Sequence, residues 1–65
     1  MNNPSQKQLV LQETFEAIHL AMDDLIGHAS DLESIGFNND SEDVRTVIGQ
    51  LENLSHKIRA RHNRR

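Results

Sequence analysis

Apolar residues in the first half of the chain recur alternately every three and every four residues. This spacing keeps one stripe of an α-helix facing a neighbouring helix. The stripe has seven members: Leu11, Phe15, Ile18, Met22, Leu25, Ala29 and Leu32. Further apolar residues flank it at Val10, Ala17, Ala21, Ile26 and Ile35. The flanking residues widen the stripe to about half of the helix circumference, which is more than one partner helix covers.

The sequence also predicts where this first helix begins and ends. Ser5 and Gln8 form an S-x-x-Q pattern that caps the first backbone N–H groups of a helix. Gly36 can adopt the left-handed conformation that ends a helix, and the turn-forming residues 38–40 follow it. We therefore expect helix 1 at about 5–35 and a turn at 36–40.

A second helix follows, capped by Asp40 or Ser41 and covering about 41–62. Its apolar seam has the same three-and-four spacing and consists of Val44, Val47, Leu51, Leu54 and Ile58. Two helices joined by so short a turn lie side by side in opposite directions. The sequence thus predicts an all-α fold, an antiparallel helical hairpin, with residues 1–65 as one domain.

The chain is short for a self-sufficient core. A core made by 65 residues rarely supplies more than roughly 3–5 kcal/mol without a disulfide, a metal or a partner chain. Cysteine is absent, so disulfides and thiolate metal sites are excluded. We expect two hairpins to pack as a homodimer in a four-helix bundle. The alternative is a monomer whose wide stripe binds a different protein.

The sequence favours a cytoplasmic protein with no membrane association. No apolar run approaches the ~20 residues that a membrane-spanning helix needs. The first eight residues have neither the basic start nor the apolar core of a signal peptide.

Basic residues are concentrated in segment 56–65, which has no aromatic residue to stack on bases. The candidate nucleic-acid contacts are Lys57, Arg59, Arg61, Arg64 and Arg65. In a second interpretation these cations only complement the helix dipole and pair, within the hairpin or across the dimer, with Glu13 and Glu16. An acidic protein partner is the third alternative.

The side of helix 1 away from the stripe is acidic, and Leu9 and Leu20 project from it. Such a face can simply keep a bundle soluble, or it can bind a basic protein surface or imitate a phosphate backbone. The candidate partner-binding residues are Glu13, Glu16, Leu20, Asp23 and Asp24.

Catalytic and metal-binding patterns are weak. Glu16, His19 and Asp23 share one side of helix 1, and Glu52 and His56 are four residues apart, but both groups point away from the core. No nucleophile motif or phosphate-binding loop is present. We therefore expect no enzyme activity, no cofactor and no metal.

These observations favour a small non-enzymatic protein-interaction module, such as an adaptor, an inhibitor or a regulator. The alternative is a nucleic-acid-binding regulator that uses segment 56–65.

The predicted core generates a first test. Leu25→Ala and Leu51→Ala should each lower the free energy of unfolding by about 2–5 kcal/mol, because each leaves a cavity in an aliphatic seam. Urea denaturation measures both losses. Losses below 1 kcal/mol would show that these residues are not in a core.

Overall fold

A computed structural model describes residues 5–62, which form two α-helices packed against each other as a hairpin. Helix α1 spans Gln6–Ser34 and helix α2 spans Asn38–His62. The prediction of an all-helical hairpin is confirmed. In the described part of the chain, neither helix has an apolar stretch long enough to cross a membrane.

The ends of α1 follow the capping patterns in the sequence. At the start, the Ser5 hydroxyl oxygen accepts a hydrogen bond from the backbone N–H of Gln8 at 3.4 Å. At the other end Gly36 is left-handed, with φ of 90°. The N–H groups of Gly36 and Phe37 donate to the carbonyls of Glu33 and Leu32, at 3.0 and 2.9 Å. This pair of bonds is the Schellman arrangement, which needs glycine at its left-handed position.

Helix α2 begins at Asn38, earlier than the expected cap at Asp40 or Ser41. The carbonyl of Phe37 accepts the first helical bond of α2 from the N–H of Ser41 at 3.0 Å. Phe37 therefore closes α1 and also opens α2, so three residues, 35–37, connect the two helices. The polar residues 38–40 suggested a longer turn, but the first turn of a helix accepts such residues, and Asp40 complements its dipole.

The apolar stripe of α1 supplies its side of the seam between the two helices. Ile18 and Ala29 are buried. The other members of the stripe are partly buried, namely Leu11, Phe15, Met22, Leu25 and Leu32. Leu25 is only partly covered by α2. The full decrease in the free energy of unfolding expected for Leu25→Ala therefore requires a further surface packed over Leu25.

The side of α2 that packs on α1 keeps three of the predicted seam residues and adds two serines. Ser41 and Ser55 are buried, with 1% and 4% exposure. Between and beyond them Val44, Ile48, Leu51 and Ile58 are partly buried. Val47 and Leu54, which the spacing placed in the seam, are 44% and 42% exposed in the hairpin.

Two hydrogen bonds between the helices explain why serines occupy the seam. The Ser41 hydroxyl donates to the backbone carbonyl of Ala29 at 2.9 Å. The Ser55 hydroxyl lies 2.9 Å from Nε2 of His19, and one of these two groups donates to the other. A buried hydroxyl is tolerated when it is hydrogen-bonded, and its small size allows two helix backbones to approach closely. The serines thus fix the rotation of α2 about its own axis.

The contact between Ala29 and Ser41 generates a second test. Ser41→Leu should lower the free energy of unfolding by about 1–3 kcal/mol, because the larger side chain has no space beside a fully covered Ala29. Ser30→Leu is the matched control, since Ser30 is an exposed serine of α1. Urea denaturation compares the two. Equal effects would mean that the helices do not approach closely at Ser41.

Candidate functional site

The face of α1 opposite the seam is the first candidate surface. We call it the acidic outer face, and the predicted partner-binding residues all lie there. Leu20 is 70% exposed, the most exposed large hydrophobic residue of the described chain. The four carboxylates predicted with it are exposed too: Glu13, Glu16, Asp23 and Asp24. The helix thus displays one apolar side chain among negative charges.

Ion pairing does little to neutralise this face. Two salt bridges join side chains of residues 5–62, and both are long, at 3.6 Å. One links His28 to Asp24 within α1, and the other links Arg45 of α2 to Glu33 of α1. All four side chains are exposed, so each pair stabilises the fold by little. The acidic outer face therefore keeps most of its negative charge.

The basic end of α2 is the second candidate surface. Lys57, Arg59 and Arg61 are exposed. Across the part of the chain that the structure describes, none of the three pairs with Glu13 or Glu16, so the expected intramolecular neutralisation is not found there. Arg64 and Arg65 lie outside the described residues.

An open groove lies at this same end of the hairpin, where α2 finishes beside the start of α1. Gln12, Phe15, Arg59 and His62 line it. One guanidinium, one imidazole and one aromatic ring thus border the same groove. No acidic residue is among its lining, so the groove itself has a positive character.

His19 has a structural role that its sequence neighbours did not indicate. In the sequence it shares one side of helix 1 with Glu16 and Asp23, which is a weak metal-binding pattern. In the structure its Nε2 bonds to Ser55, and its ring packs against Phe15 with centroids 4.4 Å apart. Among residues 5–62, no three histidine or acidic side chains are grouped closely enough to hold a metal ion.

The hairpin has two broad sides, and the polar contacts that His19 and Glu33 make with α2 lie on one of them. His19 and Glu33 of α1 reach Ser55 and Arg45 of α2 there. Two residues along an α-helix turn by about 200°. Ala17 and Ala21, each two residues from His19, therefore lie on the opposite flank of α1. Val47, two residues after Arg45, lies on the opposite flank of α2.

This opposite flank is the third candidate surface, and we call it the apolar broad side. It is defined by Val10, Ala17, Ala21, Val47 and Leu54, all exposed. The partly buried Leu25, Leu32 and Leu51 form its floor. Apolar spacing alone does not separate this surface from the seam. A second pattern in α2, which includes both buried serines, also has the three-and-four spacing and indicates the observed seam. Its members are residues 41, 44, 48, 51, 55 and 58.

The accessible surface of the chain shows how much remains uncovered. It measures 5260 Å². A compact monomer of 7.4 kDa is expected to expose about 4200 Å². Two helices packed side by side form an elongated body, which exposes more surface than a compact one. Large hydrophobic side chains, including Val10, Val47 and Leu54, are part of that exposed surface.

Comparison with protein-family models, with curated proteins and with solved structures found no match to this chain.

The two mid-helix glycines generate a third test. A Cβ atom built on Gly27 or Gly49 meets nothing within 4 Å in the hairpin. Gly27→Ala and Gly49→Ala should therefore each raise the free energy of unfolding by up to about 1 kcal/mol, because alanine favours the helix. Thermal or urea unfolding measures the gain. A loss of stability at either site would show that a partner backbone packs against that glycine.

Proposed function

We propose that this chain is a non-enzymatic protein-interaction module that works as a homodimeric four-helix bundle. In this proposal the dimer covers apolar surface that the hairpin leaves exposed. The acidic outer face of each subunit remains outside the bundle and binds a further protein with a basic surface. An adaptor, an inhibitor or a regulator would act in this way.

The observation that carries the proposal is the small core of the hairpin. Only Ile18 and Ala29 are buried apolar residues in the part described, while large hydrophobic side chains such as Val10, Val47 and Leu54 are exposed. Burial of one Leu or Val side chain contributes about 1.5–3 kcal/mol, and each ordered residue costs roughly 1–2 kcal/mol in backbone entropy. A hairpin with so few buried side chains needs a second surface to fold stably.

The chemistry of the acidic outer face supports a basic protein as the further partner. Leu20 offers an apolar anchor, and the carboxylates around it would attract basic residues and repel nucleic acid. Interfaces place a buried apolar contact at the centre and polar groups at the rim. Leu20, set among Glu16, Asp23 and Asp24, has this pattern on a small scale.

A second candidate function is nucleic-acid binding through the basic end, and one observation favours it. Lys57, Arg59 and Arg61 are exposed and form no salt bridge with other residues in 5–62. Unpaired cations on one helix end can neutralise phosphates without reading the base sequence. Arg64 and Arg65 continue this charge in the sequence.

Sedimentation velocity of the intact protein, alone and with mixed-sequence DNA and RNA duplexes at low salt, tests both candidates. The expected result is a particle of twice the 7.4 kDa chain mass, about 15 kDa, that binds neither duplex. A monomer over the whole concentration range would contradict the dimer. A duplex-bound species that disappears as salt rises would favour the nucleic-acid function instead.

Charge and anchor variants separate the two surfaces. Leu20→Glu should abolish capture of a protein partner, because it removes the apolar anchor and adds a further negative charge. Leu9→Glu is the matched control on the same face.

Replacement of Lys57, Arg59 and Arg61 by glutamine should leave protein capture intact. If the chain binds nucleic acid instead, the same replacement should abolish duplex binding. Affinity capture followed by mass spectrometry measures the first effect, and a gel-shift assay measures the second.

A further inference from the structure

We propose that two copies of the chain pair through the apolar broad side with their hairpins antiparallel, so that the turn of each lies against the open end of the other. This inference rests on the homodimer of the proposed function. It adds which surface closes the bundle and in which direction the two hairpins run.

The apolar broad side is the surface best suited to a second copy. On the other broad side, polar groups bridge the helices, with His19 bonded to Ser55 and Arg45 paired with Glu33. Covering those groups would cost desolvation. On the apolar broad side the exposed residues at the hairpin centre are Ala17, Ala21 and Leu54. Small alanines permit close approach of a partner helix, and Leu54 is an exposed apolar side chain that a second copy would cover.

The distribution of charge along the hairpin favours an antiparallel over a parallel arrangement of the two hairpins. Residues 21–53, the half nearest the turn, carry eight carboxylates and one arginine, a formal balance of −7. The described residues of the open half, 5–20 and 54–62, carry four basic side chains and two carboxylates, a balance of +2. Parallel hairpins would place the two negative halves side by side. Antiparallel hairpins place each negative half beside a positive one, which electrostatic complementarity favours.

Helix geometry then predicts which residues meet. The bond between His19 and Ser55 places Leu54 level with the middle of α1. A two-fold axis that reverses the hairpin direction therefore passes near Leu54. Val47 lies seven residues toward the turn from Leu54, and Arg61 lies seven residues toward the open end, about 10 Å in each case. The axis brings Val47 opposite Arg61 of the partner subunit, with Asp43 one turn away.

The parallel arrangement makes different neighbours. A two-fold axis along the hairpin lays α2 over α1 of the partner subunit, with the turns at the same end. Val47 is then close to the level of His28 of the partner subunit, because the bond between His19 and Ser55 sets residue 47 level with residue 27 within one hairpin. Arg61 and Val47 of different subunits are then about 20 Å apart along the bundle.

Cysteine cross-linking distinguishes these arrangements, since the chain has no cysteine of its own. A disulfide requires Cα atoms about 4.4–6.8 Å apart. Val47→Cys mixed with Arg61→Cys, in a glutathione redox buffer, should give a covalent heterodimer as the main product. Val47→Cys alone, and Val47→Cys mixed with His28→Cys, should give little. Gly27→Cys on the outer face is the control for random collision.

Each other outcome contradicts a different statement. A main product from Val47→Cys with His28→Cys would overturn the antiparallel direction. Equal yields from the face variants and from Gly27→Cys, with a dimer present in sedimentation, would overturn the choice of surface. A wild-type monomer in sedimentation would instead overturn the proposed function, from which this inference follows.

Discussion

The hydrogen bond from the Ser41 hydroxyl to the Ala29 carbonyl is the contact on which the arrangement of the helices depends. It lies where both residues are almost completely covered, and it needs a side chain as small as serine. Together with the bond between His19 and Ser55, it fixes the rotation of α2. That rotation turns Val47 and Leu54 out of the seam. The apolar broad side is therefore a direct result of two buried hydroxyl groups.

Much of the hairpin could be predicted from the sequence, because its apolar spacing and its caps are local signals. The stripe of α1, the cap at Ser5 and the left-handed Gly36 follow from residue spacing alone. The rotation of α2 could not be predicted in the same way. Two three-and-four patterns overlap in α2, and hydrophobicity favours the one through Val47 and Leu54. Only the partners of Ser41 and Ser55, residues distant in sequence, decide between the two patterns.

Which residues of the candidate surfaces are exposed could be predicted from the sequence, whereas which of them form ion pairs could not. The exposure of Leu20 and its neighbouring carboxylates follows from helix periodicity, since these residues lie opposite the stripe. Pairing between the basic end and Glu13 or Glu16 does not follow from proximity alone. Exposed ion pairs gain little and cost side-chain entropy, so nearness along a hairpin does not determine which of them form. Binding by any of these surfaces depends on a second molecule, and its chemistry is not encoded in the spacing of this chain.

The short turn at residues 35–37 has a consequence for the order of folding. Because Phe37 ends one helix and begins the next, the first contacts between the helices join residues close in sequence, such as Ala29 and Ser41. Later contacts, such as His19 with Ser55, close progressively longer segments of chain. Folding by local contacts of this kind is fast, on the order of microseconds to milliseconds. Zipping from the turn is a first-order process, whereas the meeting of two hairpins would be second-order, so dilution would slow only the second step.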